Sequence, residues 1–228
     1  VLPYFPTGDA GAFSVVCRRT PTPAYAAIYA MATKTEIDIY DLDETLLRGN
    51  STRLFLDTLL RVSFRRWQTF TWLRTAMAAA LRLSRAISHR RYKWLLWHAA
   101  TGLSQGAAAD FREEYARRFM KMLRPSILKA LERSRRDRHH VLIATAAYVE
   151  VPDLLHDLID GSVATETATV AKYRDYVECR GNEKARRALR YVEERGATVS
   201  IIYTDGKDDA PLMAAFPKSL HCIVLPNS

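Results

Sequence analysis

Asp41 and Asp43 stand two residues apart where the apolar run Ile37-Asp38-Ile39-Tyr40 ends, in the segment Asp41-Leu42-Asp43-Glu44-Thr45. The run alternates and stops like a β-strand. Residues i and i+2 of a strand share a side, so the spacing predicts two carboxylates crowded into one small space. Like charges that close repel, and one of them holds a proton unless a cation is present. A nucleophile, a neighbouring acid/base and a metal together account for such a pair. A turn or a helix N-cap is the plainer alternative, since Asp and Thr are common in both.

Three more segments carry candidate chemistry, in fixed order. Val141-Leu142-Ile143-Ala144-Thr145-Ala146-Ala147 reads as a buried strand ending in a hydroxyl and small residues. Such an end offers backbone N–H groups and the Thr145 hydroxyl to phosphate oxygens. Cys179-Arg180-Gly181-Asn182-Glu183-Lys184 opens a helical run, with Lys184 in the first turn against the dipole preference. An anionic partner would offset that; a solvated surface Lys is the alternative. Val199 to Met213 reads as a strand ending in Asp205, with Asp209 four residues on. Two further carboxylates at a strand end suit a hard cation such as Mg²⁺, or simply begin a helix.

The elements that must position these residues alternate. Strands are expected at 36–41, 139–145, 162–165, 198–204 and 220–225, and helices at 125–136, 148–160, 182–195 and 208–215. The stretch 166–179 could form a small hairpin. This alternation predicts an α/β fold, a three-layer Rossmann-like parallel sheet covered on both faces. Ligands of such sheets bind at the carboxyl ends of strands, where every candidate acid falls. Between the first and second segments an insert reads as helix almost throughout, at 51–62, 64–85, 89–101 and 104–122, with breaks near Ser63, Ser88 and Gly102.

The order DLDET, a strand ending in Thr, GNEK, then TDGKDDAPLM resembles the four motifs of the haloacid dehalogenase superfamily of phosphatases and phosphotransferases. The usual first motif reads DxDGT or DxDST, with Glu44 here at the variable position; Thr204 stands where Gly or Ser usually precedes the Asp of the fourth. The resemblance spans about residues 36–226. It implies an aspartyl-phosphate mechanism with Asp41 as nucleophile and Asp43 as general acid and then base. It implies phosphate binding by Thr45, Thr145, Ala146 and Lys184. Mg²⁺ would be held by Asp41, Asp43 (through its carbonyl), Asp205 and Asp209, the last directly or through water; Asp208 is a neighbour. The helical insert resembles the bundle cap of the phosphoserine-phosphatase-like branch. The implied division is a catalytic core at 34–47 and 125–228, an α-helical cap at 48–124 and a tail at 1–33.

The cap segment also holds the charge. The 228-residue chain is +9 overall, and residues 48–103 alone carry eleven Arg or Lys against one acid, Asp57. That segment is +10 and the remainder −1. All four tryptophans, Trp67, Trp72, Trp94 and Trp97, lie there too. Arg and Lys beside Trp suit contact with an anionic bilayer; a bundle with Trp and Leu inside and solvated arginines is the alternative. No nucleic-acid reader motif accompanies the charge, so no nucleic acid is expected. The segments RRYKWLLWHAATGLSQGAAADFREEYARRF, CRGNEK and TDGKDDAPLM resemble the C-type phosphatidylglycerophosphate phosphatases, which implies a phospholipid head group as substrate. Phosphoserine phosphatases usually carry a Glu seven residues after the second motif Asp, where Asn50 stands here; that speaks against phosphoserine. A soluble small-metabolite phosphatase (phosphoserine or a sugar phosphate) and a non-catalytic membrane- or polyanion-binding module are the rival readings.

Three cysteines without a CxxC pair argue for a reducing compartment, hence a cytoplasmic location, with peripheral membrane association the option that the cap raises. No uncharged apolar run is long enough to span a bilayer. The first 33 residues, punctuated by Pro3, Pro6, Pro21 and Pro23, show no period. Met31 stands ten residues before Asp41, and is expected to be the natural initiator.

Overall fold

The computed structural model describes residues 35–167, 172–206 and 208–225. The expectations for the tail and for Met31 lie outside them. Five strands form one sheet in the order β3-β2-β1-β4-β5, every neighbouring pair parallel: β1 (Glu36–Tyr40), β2 (His140–Tyr148), β3 (Gly161–Thr165), β4 (Thr198–Thr204) and β5 (Leu220–Ile223). The helices are α1 (Ser51–Arg65), α2 (Thr69–Leu83), α3 (His89–Ala100), α4 (Gln105–Met122), α5 (Pro125–Arg136), α6 (Asn182–Glu194) and α7 (Ala210–Ala215).

Strand alternation sorts the core into two layers. Ile37, Ile39, Leu142, Ala144 and Ile202 face α6 and α7, meeting Ala188, Val192 and Leu212. Tyr40, Val141 and Ile143 face the other way, onto Ile127 and Leu131 of α5. Burial on both faces is what a parallel sheet requires. Tyr40 stacks on Tyr203 with ring centroids 4.4 Å apart, and its hydroxyl pairs with Ser134 at 2.8 Å.

The helical insert leaves and rejoins the core as a closed pair. Leu47 and Leu123 form an antiparallel bridge, flanked by Arg48 N–H to Met122 O at 2.7 Å and Arg124 N–H to Leu46 O at 2.8 Å. Gly49 sits at φ +131°, and a Cβ there would lie 2.9 Å from Met122 Cε, so the turn into α1 requires glycine. Inside the insert, Phe55 of α1 meets Phe111 and Tyr115 of α4 at centroid distances of 4.9 and 6.0 Å. Among the described residues no helix is long and apolar enough to cross a membrane.

Three expectations are corrected. Ser63 breaks no helix: α1 runs to Arg65, and the buried Ser63 hydroxyl is satisfied within it, donating to Leu59 O at 2.6 Å. The chain turns instead at Arg66–Gln68, with Trp67 at φ +54°. Residues 148–160 form no α-helix: β2 continues to Tyr148, and only a 3₁₀ turn, Pro152–Leu155, follows. Pro152 starts that turn, and β2 takes Tyr148, the residue that would have opened the helix. The stretch 166–179 shows no strand among its described residues, only a 3₁₀ turn at Tyr173–Asp175; 168–171 lie outside them.

Candidate active site

β1 delivers Asp41 to the carboxyl edge of the sheet, where its N–H donates to Tyr203 O of β4 at 2.8 Å. The strand then ends. Residues Leu42–Leu46 make one irregular helical turn, with Asp43 extended (φ −71°, ψ 131°) and Glu44 left-handed (φ 59°). Asp41 and Asp43 do meet, but through this turn rather than through strand alternation, because the ladder stops before Asp41. Glu44 occupies a conformation in which glycine is cheapest. Asp43 is held from the insert: Ser51 N–H and Oγ donate to its carboxylate at 2.7 and 3.1 Å, and Asn50 Nδ2 at 3.2 Å. Asn50 also caps α1, accepting from Arg53 N–H at 3.1 Å.

Lys184, in the first turn of α6, is 4% exposed. Its Nζ donates to Asp41 Oδ1 at 2.6 Å and to both oxygens of Asp209 at 2.7 and 2.9 Å. The expected anionic partners are thus two of the chain's own carboxylates. Thr204, the last residue of β4, donates to Asp209 Oδ2 at 2.7 Å and accepts from Gly206 N–H at 2.9 Å, which fixes the turn carrying Asp205.

β2 pairs with β3 through Ala144–Val163 and again at Tyr148–Thr165, so residues 145–147 bulge out of the ladder. A bulge beside a site re-aims side chains. Here it turns Thr145 and Ala146 toward the acids, and the Thr145 hydroxyl accepts from Ala147 N–H at 3.0 Å. Thr45 departs from its expected phosphate contact. It is fully buried, does not line the cavity, and donates from Oγ1 to Asp41 Oδ2 at 3.0 Å. The short turn folds it beneath Asp41, which it orients.

These groups line a cavity of about 220 Å³ between core and insert: Asp41, Asp43, Thr145, Ala146, Lys184, Asp205 and Asp209 all reach it. Further lining residues escape sequence reasoning, among them His89, Lys93, Glu178 and Arg180. Lys93 of α3 is 1% exposed; its Nζ donates to Ala146 O and to Glu178 Oε1, the latter at 3.2 Å. His89 lies 3.2 Å from the same oxygen. In the sequence Lys93 is one of eleven basic residues within 48–103, and only the docking of α3 on the core distinguishes it. Arg90 fastens the same helix by donating to Tyr176 O.

The electrostatics follow from burial. Removal from water pushes Asp41 up to about 7; Lys184 opposes the rise and Asp209 and Asp43 add to it. Burial also raises Asp43, against its bonds from Ser51. Burial alone would lower Lys184, but Asp41 and Asp209 outweigh it and hold the ammonium above its ordinary range. Burial would likewise raise Glu178, yet His89 and Lys93 hold it down at about 2. A carboxyl depressed in the fold stabilises above its unfolded value, and that stabilisation is lost as pH falls toward the folded value. Glu178→Gln is therefore expected to be less stable than the parent at pH 7. The gap should close between about pH 4.5 and about 2. Thermal melts across that range measure it, and a gap constant with pH would contradict the pairing.

Seven carboxylates line the cavity, Asp41, Asp43, Glu44, Glu178, Asp205, Asp208 and Asp209, against three permanent cations, Lys93, Arg180 and Lys184. Asp41 and Asp209 are buried, and a surplus of carboxylate oxygens around them is the chemistry of a hard divalent cation. Among the described residues no three His, Cys, Asp or Glu are gathered into a ready ligand shell. Lys184 occupies the space between Asp41 and Asp209 that a shared ion would neutralise. The residue types therefore suit such an ion, while no closed cage exists for it.

A parallel sheet with its acids at the carboxyl edge and a helical insert over them defines an α/β fold with the site at the strand ends. The sequence model of the haloacid dehalogenase-like hydrolase family matches residues 39–214. The chain belongs to that family and is an enzyme of the hydrolase class. No curated protein sequence matches it significantly. Among solved structures, a Bordetella pertussis Tohama I protein described as of unknown function is similar with a TM-score of 0.66 and 16% identity, over 85% of this chain and 100% of that one. The HAD family hydrolase t0658 of Salmonella enterica serovar Typhi gives a TM-score of 0.55 at 10% identity, over 86% and 69%. A phosphoserine phosphatase, solved as a phospho-aspartyl intermediate analogue, gives 0.52 at 12% identity, over 85% and 95%. At such identities these likenesses concern the fold.

Proposed function

We propose that the chain is a Mg²⁺-dependent phosphomonoesterase working through an aspartyl-phosphate on Asp41. The observation that carries this reading is the Lys184 ammonium clamped between Asp41 and Asp209 at the carboxyl edge of the sheet. Phosphoryl transfer needs positioning and charge neutralisation above all, and this arrangement offers both.

An Asp41 carboxylate oxygen attacks phosphorus in line while the bond from phosphorus to the leaving oxygen breaks. Lys184 and Thr45 hold the two Asp41 oxygens and so aim the nucleophile. Asp43, whose pKa burial raises, is the group placed to give a proton to the leaving oxygen. Asp43 then takes a proton from water as the water oxygen bonds to phosphorus and the bond to Asp41 breaks. Thr145 and the Ala146 backbone bind phosphoryl oxygens. Mg²⁺, held by Asp41, Asp205, Asp209 and the Asp43 carbonyl, would supply the charge neutralisation that lets a phosphate dianion join so many acids.

The substrate we infer is an anionic phosphate monoester, with a phospholipid head group as the form the +10 segment 48–103 favours. The resemblance to the C-type phosphatidylglycerophosphate phosphatases points the same way. Phosphoserine is disfavoured, since Asn50 is engaged with Asp43 and Arg53. The described cysteines, Cys179 and Cys222, are free thiols, which supports a reducing, cytoplasmic compartment.

The test is hydrolysis of p-nitrophenyl phosphate with and without a chelator. Chelation is expected to lower the rate by about 100-fold or more, and added Mg²⁺ to restore it. A rate indifferent to chelation would remove the metal from the account.

A further inference from the structure

Helix α2 is amphipathic the wrong way round for a free surface. Its inward face is small and polar: Thr71, Thr75 and Ala78 are buried, with the Thr75 hydroxyl donating to Thr71 O at 2.7 Å. Its outward face is apolar. Phe70, Leu73 and Met77 are 71%, 57% and 54% exposed, and Leu81 continues the line. These four fall within an arc of about 80° at 3.6 residues per turn. A helix on a water-facing surface shows the reverse pattern. The stripe continues past the turn before α2 through Phe64 and Trp67, the latter 86% exposed, and ends at Leu83. An apolar patch of this extent marks a contact surface.

The charge around it selects the partner. No Asp or Glu occurs from Thr58 to Ala109. Arg65 and Arg66 are engaged by Glu114 and Asp110 of α4. Arg74 lies over the Phe70 ring at 5.1 Å, and Arg82 and Arg85 follow along the same helix and its end. A second copy of the chain would bring these arginines against their own equivalents, a repulsion that an anionic surface turns into attraction. Trp, Phe and Leu on one side with Arg along the rim is the composition of a helix lying in a bilayer interface. Because α2 is too short and charged to span, it would lie in the surface plane.

We propose that the outward face of α2, with the Trp67 turn, docks the protein peripherally on an anionic lipid bilayer. The placement deepens the phosphatase reading by setting the insert, and so the cavity beneath it, at a surface rich in head groups. It depends on that reading only for its purpose.

Co-sedimentation of the full chain with vesicles tests it. Binding is expected to phosphatidylcholine vesicles that contain phosphatidylglycerol, and to weaken as salt is raised. The triple variant Phe70→Ser, Leu73→Ser, Met77→Ser should lose about ten-fold or more of that binding. Its hydrolysis of p-nitrophenyl phosphate should stay unchanged, because none of the three reaches the cavity. Absence of binding at low salt, or full binding by the triple variant, overturns the proposal. Equal binding to pure phosphatidylcholine overturns the anionic preference. A dimer in sedimentation velocity that the triple variant dissolves assigns the face to a second copy instead. Asp41→Asn should sediment like the parent, so docking and chemistry can fail separately.

Discussion

Asp41→Asn is expected to abolish p-nitrophenyl phosphate hydrolysis, by about 10⁴-fold or more, while making the protein more stable. Loss of rate follows because an amide keeps the shape of the carboxylate but cannot attack phosphorus. Its oxygen still accepts from Lys184, and Lys184 keeps Asp209 as its ion partner, so nothing charged is orphaned. The gain in stability follows from the sign of the pKa shift. Burial pushes Asp41 from 3.8 up to about 7, so the folded protein binds more protons than the unfolded chain between those values. Stability then falls as pH rises through that window, and above it the charged side chain is a burden on the fold. At pH 8 without Mg²⁺ the asparagine variant should gain on the order of 4 kcal/mol, measured by urea denaturation. Equal rates in parent and variant would refute the nucleophile, and a less stable variant would refute the electrostatic account.

Lys184→Met is expected to damage both properties. The side chain is buried between two acids, and removing one partner of a buried ion pair costs about 3–5 kcal/mol because the other is left uncompensated. Here two carboxylates are left. Asp41 should then titrate still higher, so the variant should lose stability more steeply with rising pH than the parent. Activity should fall about 100-fold or more, as expected when a preorganised charge at the reacting group is lost. Saturating Mg²⁺ should return part of the stability, since a second cation can replace the charge but not the aim. Urea denaturation at several pH values, with and without Mg²⁺, reads both effects. A variant as stable as the parent would show that the clamp does not hold the sheet edge together.

The gathering of acids at strand ends was legible in the sequence because it depends on local order. Asp41 follows an apolar run, Asp205 follows another, and a parallel sheet brings such ends together whatever the intervening chain does. The partnership of Lys184 with Asp41 and Asp209 was half legible: its place in a first helical turn signalled an anion, but not that the anion was the chain's own. Strand alternation gave the wrong route for Asp43, whose position depends on a turn and on Ser51 and Asn50 from the insert. Helix 148–160 failed because β2 ran past Thr145 into a bulge, a tertiary choice that periodicity cannot see. Lys93 and Glu178 were hidden for the same reason: one helix must dock on the core before either becomes a site residue. The basic, Trp-bearing segment was read as a whole, and the fold divides it. Trp97 tilts against Tyr148 at the seam, whereas Trp67 turns outward.

The central claim is that the phosphoryl group rests on Asp41. Rapid acid quench of the protein turning over p-nitrophenyl phosphate with Mg²⁺, followed by peptide mass spectrometry, tests it directly. The account predicts one added phosphoryl group on the peptide bearing Asp41, at Asp41 itself, absent from Asp41→Asn. A phosphoryl group on any other residue, or product release in a single turnover with no protein-bound phosphoryl at any quench time, would contradict it.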